Sequence, residues 1–381
     1  MNRLPTFQAK RVAQPRPVAF VESVRRSPRR TRVRTLDSLG DSLLRYLMRK
    51  FATPGLRFRV GLKPVQDGWE SFIFHFELQA PHPLPPPLRG LLTLRLLSSR
   101  QGIPRGRRQF AVQRCLQQLG YPVPAPICWE ESCAFLGGPF LIMEQVPGPT
   151  LLHHLLYGPW NVLEVAQQMA DMQLRLHRLP TERFPNSRRP LLERSLAEMA
   201  SSIRRHRLTA LAPGIDWLRT KRPQTPAVPV IVHLDFHPLN LIQRDGRDLV
   251  VIDWDTADLG DPHADVATTL LLLRHAPNEG KNVWERLLID TGRSVLATVY
   301  LAICRRHMSI DNTKLICYEA WAVLKRLVRY GELLRAGPQT IGAKPSLCKH
   351  LSRGHVETLA RRFERLTGVA LRLRSSSWSR E

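Results

Sequence analysis

Polar and apolar residues alternate with a period of two in several short segments of the first third of the chain. The alternation is clear at residues 72–78 (FIFHFEL) and 90–97 (GLLTLRLL), on either side of the proline-rich stretch 81–87. A period of two is typical of strands with one buried face, and the prolines between them are typical of a loop. A third strand is predicted at residues 139–144 (PFLIME). These segments predict a small antiparallel sheet.

Beyond residue 149 the apolar positions recur mainly at helical spacing. The helices predicted in this part span residues 151–156, 162–179, 191–207, 266–273, 282–304, 314–334 and 355–366. Two further helices, at residues 36–51 and 107–119, precede and interrupt the predicted sheet. Short apolar runs between residues 228 and 254 are the exception and predict strands.

The pattern therefore predicts an α+β fold with two lobes. Residues 1–50 are predicted to be a basic, disordered N-terminal extension followed by one helix. Residues 51–146 form a small, antiparallel, β-rich N-lobe, and residues 147–375 form a larger, mainly helical C-lobe. Because the late strands carry polar groups beside the junction, we expect a site in the cleft between the lobes.

Charge suggests the class of ligand. Hydrophobic residues make up 43% of the chain and charged residues 23%, as in ordinary globular proteins, but the formal net charge is +25. Ten Arg and Lys residues face one acid, Glu22, within the first 35 residues. A basic protein favours anionic ligands such as nucleotides, although a solvated basic surface explains the charge equally well. No specific nucleic-acid partner is predicted.

The cysteines and the N-terminus suggest a compartment. The six cysteines form no Cys-x-x-Cys pair and no His spacing typical of zinc sites, so we expect free thiols in the cytoplasm. The Arg-rich start lacks the apolar segment of a secretory signal and is typical of a disordered tail or of an organelle transit segment. No stretch reaches the length expected of a membrane span. The sequence does not indicate an oligomeric state.

The densest group of polar residues is HLDFHPLN, residues 233–240, directly after the apolar run 230–232. Two apolar runs flanking Asp245-Gly246 then predict a hairpin. With its turn centred after Gly246, Asn240 lies opposite Asp253, and their Cβ atoms are expected about 5 Å apart. An amide oxygen and a carboxylate suit Mg²⁺ better than Zn²⁺. Asp235, at the apex of the loop, could accept a proton from an attacking hydroxyl, as in kinase-type phosphoryl transfer.

Three motifs in order, HLDFHPLN, VVIDWD and LGDPHADVA, resemble the catalytic core of the aminoglycoside phosphotransferase/choline kinase-like family, relatives of the protein kinases. That family typically shows H-G-D-x-H-x-x-N, I-D-[WF] and G-D-P-x-x-D. Weaker similarity extends over about residues 55–330. The resemblance implies a protein-kinase-like fold, ATP or GTP with Mg²⁺ as cofactors, and a hydroxyl of a small molecule as the phosphoryl acceptor.

The resemblance also implies a role for each matching residue. Asp235 would be the catalytic base, Asn240 and Asp253 the magnesium ligands, and His233 and His237 braces of the loop. The acidic pair implied to be chiefly structural is Asp261 and Asp265. The positions implied to contact the nucleotide are Arg95, Gly68, Ser71, Glu144 and Val146.

Three positions depart from the family pattern. Leu234 replaces a glycine, Arg95 replaces a lysine, and Gln109 stands where a glutamate often pairs with that lysine. Arg and Lys are not interchangeable at a phosphate, and an Arg–Gln contact lacks ionic anchoring. A catalytically weak or inactive kinase-fold binding protein with a basic surface is therefore the alternative function.

Two other questions stay open at this stage. Asp235-Phe236-His237 also matches the start of a binuclear-metal phosphoesterase site, but the G-N-H element that such a site needs is absent from the chain. The sequence does not identify the phosphoryl acceptor. A cationic acceptor would require acidic residues in the C-lobe, and the candidates are Glu198, Asp216, Asp290, Asp311, Glu319 and Glu332.

Overall fold

The computed structural model describes residues 35–65, 71–97, 102–185, 189–246, 248–276, 282–337 and 353–373. Their buried apolar side chains form two clusters, one within the sheet region and a larger one within the helical region. The fold is α+β with an antiparallel sheet in the first lobe and mainly helices in the second, which confirms the predicted fold class.

The N-lobe sheet has the strand order β1-β2-β3-β5-β4, with every neighbouring pair antiparallel. Its strands are β1 (Arg57–Val65), β2 (Ser71–Gln79), β3 (Leu91–Leu97), β4 (Pro126–Glu130) and β5 (Phe140–Glu144). The sequence predicts β2 and β3 from their alternation and β5 from its short apolar run. It does not predict β1 or β4, since the β1 pairing is broken by register shifts and β4 begins at a proline.

Three helices accompany this sheet: α1 (Leu36–Lys50), α2 (Ile103–Gln118) and the short α3 (Cys133–Leu136). The hydroxyl of Thr35 accepts a hydrogen bond from the backbone nitrogen of Ser38 and so caps the start of α1. Leu39, Leu43 and Leu47 of α1 are buried in the same cluster as the strands. The helix therefore packs as part of the N-lobe, although the sequence-based division places it in the extension.

The larger cluster lies mainly in the C-lobe, and Val112, Cys115 and Leu116 of α2 also belong to it. Its helices are α4 (Leu151–Tyr157), α5 (Val162–His177), α6 (Leu191–Arg205), α7 (Ala212–Lys221), α8 (Pro262–His275), α9 (Val283–His307), α10 (Asn312–Ala336) and α11 (Arg353–Thr367). The sequence does not predict α7, which begins Ala-Pro-Gly. Proline is tolerated in a first helical turn, and Gly214 lets α7 approach Leu324 and Phe363 closely.

Helix α9 corrects one expectation from the sequence. By length and composition alone it could cross a membrane, and a third of its most apolar window is buried inside the protein. The C-terminal half packs into the C-lobe through buried Tyr300, Ile303 and Cys304, whereas Trp284 and Leu288 near its start are exposed.

Four short strands of the C-lobe position the polar loop: β6 (Val230–Val232), β7 (Leu241–Arg244), β8 (Asp248–Val251) and β9 (Asp258–Gly260). Strands β6 and β9 form one antiparallel pair, and β7 and β8 form another. The loop 233–240 joins these two pairs, so both ends of the loop are held by sheet hydrogen bonds.

Candidate active site

The polar loop begins with a sharp turn at Leu234, whose φ of 63° lies in the left-handed region. The backbone nitrogen of Leu234 donates a 2.7 Å hydrogen bond to Oδ1 of Asp265. The other oxygen, Oδ2, lies 2.9 Å from Nε2 of His177 on α5. Burial acts to raise the pKa of Asp265, but these hydrogen bonds and the charge of His177 lower it below its usual value. A buried carboxylate thus fixes the start of the loop.

Asp235, His237 and Asn240 meet at the apex of the loop. The amide nitrogen of Asn240 donates to the backbone oxygen of Asp235 at 2.9 Å and to its Oδ2 at 3.3 Å. Nε2 of His237 lies 3.6 Å from the same Oδ2 and 3.2 Å from the Asn240 nitrogen. Because the Asn240 nitrogen is engaged, its oxygen is the amide atom suited to bind a cation.

His233 connects the loop to the segment after β8 that leads to Asp253. Its Nε2 donates to the backbone oxygen of Ile252 at 3.0 Å, and its Nδ1 accepts from the backbone nitrogen of Asp235 at 3.2 Å. The ring also packs against Trp254. Burial lowers the pKa of His233, although Asp265 and Asp235 act to raise it. A neutral imidazole makes both hydrogen bonds.

The carboxyl group of Asp235 is held in its charged form. Burial acts to raise the pKa of Asp235, but the hydrogen bond and charge of His237, with the charge of Arg326, outweigh it. The pKa therefore lies well below the usual range of an aspartate. About 30% of the side chain remains exposed, so a substrate can reach it.

The hairpin corrects the register predicted from the sequence. Leu241 pairs with Val251, and the backbone nitrogen of Ile252 donates to the backbone oxygen of Asn240 at 2.9 Å. Asn240 thus lies opposite Ile252, one residue before Asp253. Strand β8 ends at Val251, and the chain turns at Asp253, whose φ is 64°. Within the described residues no group of three or more His, Cys, Asp or Glu could hold a metal, so any cation here relies on mixed amide and carboxylate donors.

Arg95 of β3 reaches Asp253 from the N-lobe. Its Nη1 lies 3.2 Å from Oδ1 of Asp253 and 2.8 Å from Oε1 of Gln109 on α2. Its Nε donates to the hydroxyl of Ser71 at 3.0 Å, and its Nη2 lies 3.5 Å from Asp255. Arg95 and Gln109 therefore make contact, and the ionic partners of the arginine are aspartates of the C-lobe.

The predicted hinge follows β5. Oε1 of Glu144 lies 2.6 Å from Nη2 of Arg244, and Oε2 accepts from the backbone nitrogen of Ala125. The Glu144 side chain thus joins the two lobes. Val146 lies partly buried in the segment that follows. Gly68, another predicted nucleotide contact, lies outside the described residues.

Asp261 is distant in sequence from the loop and buried at the start of α8. It caps this helix by accepting from the backbone nitrogen of His263, and it also contacts the His263 ring at 2.6 Å. Lys314 of α10 lies 3.1 Å from its other oxygen. These contacts join α8 to α10, the helix that passes the polar loop.

Several charged residues at the site could not be identified from the sequence around them. Nη2 of Arg326, on α10, lies 3.7 Å from Oδ1 of Asp235. Lys325 interacts with Asp235 and Asp255, and Arg105 at the start of α2 acts on Lys325. Only the packing of distant helices brings these cations to the loop. Asp255, two residues after Asp253, could have been found from its place in the motif.

Comparisons with known proteins agree with this fold. Residues 92–299, more than half of the chain, match the model of the phosphotransferase enzyme family, APH. Curated relatives include acyl-CoA dehydrogenase family member 11 of Rattus norvegicus, 24% identical over 219 residues, and family member 10 of Mus musculus, 28% identical over 180 residues. These alignments cover 52% and 43% of this chain but 27% and 16% of the relatives. The chain thus spans about a quarter or less of their length.

Solved structures with this fold are kinase-like phosphotransferases. One from Ralstonia eutropha JMP134, provisionally named an aminoglycoside phosphotransferase, has a TM-score of 0.59 and 18% identity over 86% of this chain and 98% of that chain. APH(4)-Ia in a ternary complex with ADP and hygromycin B has a TM-score of 0.55 and 18% identity, over 84% and 98%. The shared fold and the family match together show that the chain belongs to the phosphotransferase enzyme family, as its three motifs predict.

Proposed function

We propose that the protein transfers the γ-phosphoryl group of ATP to a hydroxyl group of a small molecule. The observation that carries this proposal is the clustering of Asp235 with Asn240, beside a loop-bracing histidine that reaches the strand end before Asp253. Nucleotide use is supported by the similar structures that hold ADP or AMP-PNP. Family membership supports a small-molecule acceptor.

In this proposal Asp235 is the catalytic base. Its depressed pKa keeps it ionised at neutral pH, so it orients the attacking hydroxyl and takes the proton as the bond to phosphorus forms. A carboxylate of such low basicity removes the proton late, when the oxygen has become acidic. Positioning therefore contributes more than basicity, as in other phosphoryl transfers.

The donor set fits a hard divalent cation. Asn240 offers an amide oxygen, and the Asp253 side chain is 42% exposed beside the cleft, so these two residues would hold Mg²⁺. When bound, the ion neutralises phosphate charge. Arg95, buried to 12% exposure among Ser71, Gln109 and Asp253, supplies the N-lobe cation for the nucleotide phosphates. We propose that the reaction takes place in the cytoplasm.

Replacing Asp235 by Asn tests the mechanism. The variant keeps the size of the side chain and the Asn240 contact but removes the charge, so turnover should fall by at least about 10³-fold while ATP binding persists. ADP formation with a panel of hydroxylated acceptors measures turnover, and calorimetry measures ATP binding. Full turnover in the variant would refute the role of Asp235. A wild-type protein that binds anions but neither binds nor consumes Mg-ATP would instead favour the inactive, basic binding protein.

A further inference from the structure

We propose that the acceptor is itself an anion, carrying a carboxylate or phosphate group close to the hydroxyl that receives the phosphoryl group. This inference rests on the proposed function and names the substrate class of the same site. The side chain that carries the inference is Arg326, which α10 places 3.7 Å from Asp235. Lys325, the preceding residue of the same helix, adds a second positive charge that interacts with Asp235.

Arg326 is the C-lobe cation in contact with the base. Its guanidinium lies 3.7 Å from Oδ1 of Asp235, and 29% of its side chain is exposed. Tyr330, one turn further along α10, interacts electrostatically with Arg326, and its hydroxyl lies 3.4 Å from Nε2 of His355. A guanidinium at this distance can bind an anionic group of a substrate while the hydroxyl of the same substrate contacts Asp235. This is possible because the guanidinium offers several N–H donors.

Lys325 adds a second cation on the same helix turn. Its Nζ lies 5.2 Å from the centre of the Trp321 ring. Lys325 is an exposed residue, so the protein shields it from water only in part. This partial desolvation, together with the charges of Arg326 and Arg105, lowers the pKa of Lys325, although Asp235 and Asp255 act to raise it. The charges of Arg326 and Arg105 thus disfavour the charged form of Lys325, and a bound anion would offset that repulsion.

The acidic side chains that a cationic acceptor would need already have partners within the protein, although the ion pairs of Glu198, Asp216 and Asp290 are exposed and weak. Asp311 caps α10, and the other five each form an ion pair with an arginine. The pairs are Glu198–Arg194, Asp216–Arg219, Asp290–Arg293, Glu319–Arg362 and Glu332–Arg329. Each of these six candidates therefore has a structural partner of its own. Among the described residues, the C-lobe charges shown to act on Asp235 from outside its own loop are cationic.

Matched acceptors test the class. Hydroxycarboxylates such as glycolate and glycerate, and the phosphorylated alcohol glycerol 3-phosphate, are compared with the primary amides of the acids, with glycerol and with ethanolamine. The readout is Mg-ATP-dependent formation of the phosphorylated product. We expect transfer to carboxylates or phosphates at least about tenfold faster, in kcat/KM, than to the neutral or cationic partners. The carboxylate and phosphate arms distinguish the two sources of the negative charge.

Variants separate this role from nucleotide binding. Arg326→Gln and Lys325→Gln should each raise KM for the anionic acceptor about tenfold with little change in KM for ATP, and Arg326→Lys should restore part of the loss. Arg335→Gln, which removes an exposed charge nine residues along α10, is the control for net charge. If these cations only served the phosphates of ATP, KM for ATP would rise instead and the inference would be wrong.

Binding without turnover keeps the inference separate from the proposed function. Calorimetric titration of glycerate and glycerol 3-phosphate, in the presence of Mg²⁺ and a nonhydrolysable ATP analogue, should show binding that Arg326→Gln weakens. That result supports an anion site even if no product forms. Preference for ethanolamine or glycerol over every anionic probe, or anion binding unchanged in Arg326→Gln, overturns the inference and leaves phosphoryl transfer standing.

Discussion

Arg95 donates a 2.8 Å hydrogen bond to the side-chain oxygen of Gln109, and the pair links β3 to α2 across the N-lobe. The resembling family places a lysine and a glutamate at these positions. Because Gln109 is neutral, the charge of Arg95 is balanced by Asp253 and Asp255 of the C-lobe instead. The two lobes are therefore joined through the residue expected to contact the nucleotide.

We expect Arg95→Lys to raise KM for ATP about tenfold. A lysine offers one ammonium group and cannot contact Ser71, Gln109 and Asp253 together, so the cation is less well positioned. Steady-state kinetics at saturating acceptor measure the change. Arg59→Lys is the matched control, because Arg59 is 66% exposed in an ion pair with Glu77 on the sheet surface. An unchanged KM in Arg95→Lys would contradict the nucleotide role.

Leu234 provides a test of the turn that begins the polar loop. The residue has a φ of 63° and is 4% exposed, so it combines backbone strain with hydrophobic burial. Leu234→Ala and Leu234→Gly both lose burial, at a cost of about 2–5 kcal/mol. Only glycine also relieves the left-handed strain, which amounts to about 1–2 kcal/mol.

The expected signature is a change in the ranking of alanine and glycine. At Leu196, 3% exposed in the middle of α6, the glycine variant should be about 1 kcal/mol less stable than the alanine variant. At Leu234 the glycine variant should gain about 1–2 kcal/mol of stability relative to the alanine variant, compared with the same pair at Leu196. Urea unfolding of the four variants measures it. The same ranking at both positions would show that the turn at Leu234 carries no strain.

The sequence was sufficient to identify the loop residues and their order, but not to predict the pairing register of the hairpin that follows the loop. Three residues separate the paired ends Arg244 and Asp248, so the hairpin is centred on Gly246. The prediction placed the centre half a residue later, and Asn240 was therefore paired with Asp253 instead of Ile252. A turn of one residue more or less changes the register, and Asp-Gly is compatible with several loop lengths.

The charges near Asp235 show a different limit. Local pattern identifies Asp235 because its neighbours His237 and Asn240 stand at fixed spacing. Arg326 is 91 residues away, on a helix whose pattern indicates only burial of one face. Its contact with Asp235 depends on how α10 packs against α8, which periodicity does not specify. Tertiary packing therefore decides the electrostatics of the site.

Glu144 and Arg244 form an ion pair across the predicted hinge, 2.6 Å apart and about one-third exposed. A double-mutant cycle with Glu144→Gln and Arg244→Gln should give a coupling free energy of about 1 kcal/mol, decreasing as salt is added. The control cycle is Arg353 with Glu357, an exposed pair within α11, where about 0.3–0.5 kcal/mol is expected. Equal couplings in the two cycles would mean that the pair does not hold the lobes together.

His275, in the last turn of α8, makes stability depend on pH. Burial, with the positive charges of Arg362, Arg365, Arg274 and His355, lowers the pKa of His275 to about 4. The unfolded chain, with a histidine pKa of about 6.5, takes up a proton first as the pH falls. The free energy of unfolding is therefore unaffected by this group above pH 6.5 and decreases as the pH falls from 6.5 to 4. At pH 5 the decrease amounts to about 2 kcal/mol.

Replacing His275 by Gln removes this proton-binding difference. We expect the free energy of unfolding in urea to fall less between pH 7.5 and pH 5.0 in His275→Gln than in the wild type, by about 2 kcal/mol. Comparing each protein with itself at the two pH values cancels any packing cost of the substitution. His82→Gln, at an exposed loop position, is the control. If wild type and His275→Gln lose equal stability on acidification, the cluster of cations at the end of α8 does not exclude the proton from His275.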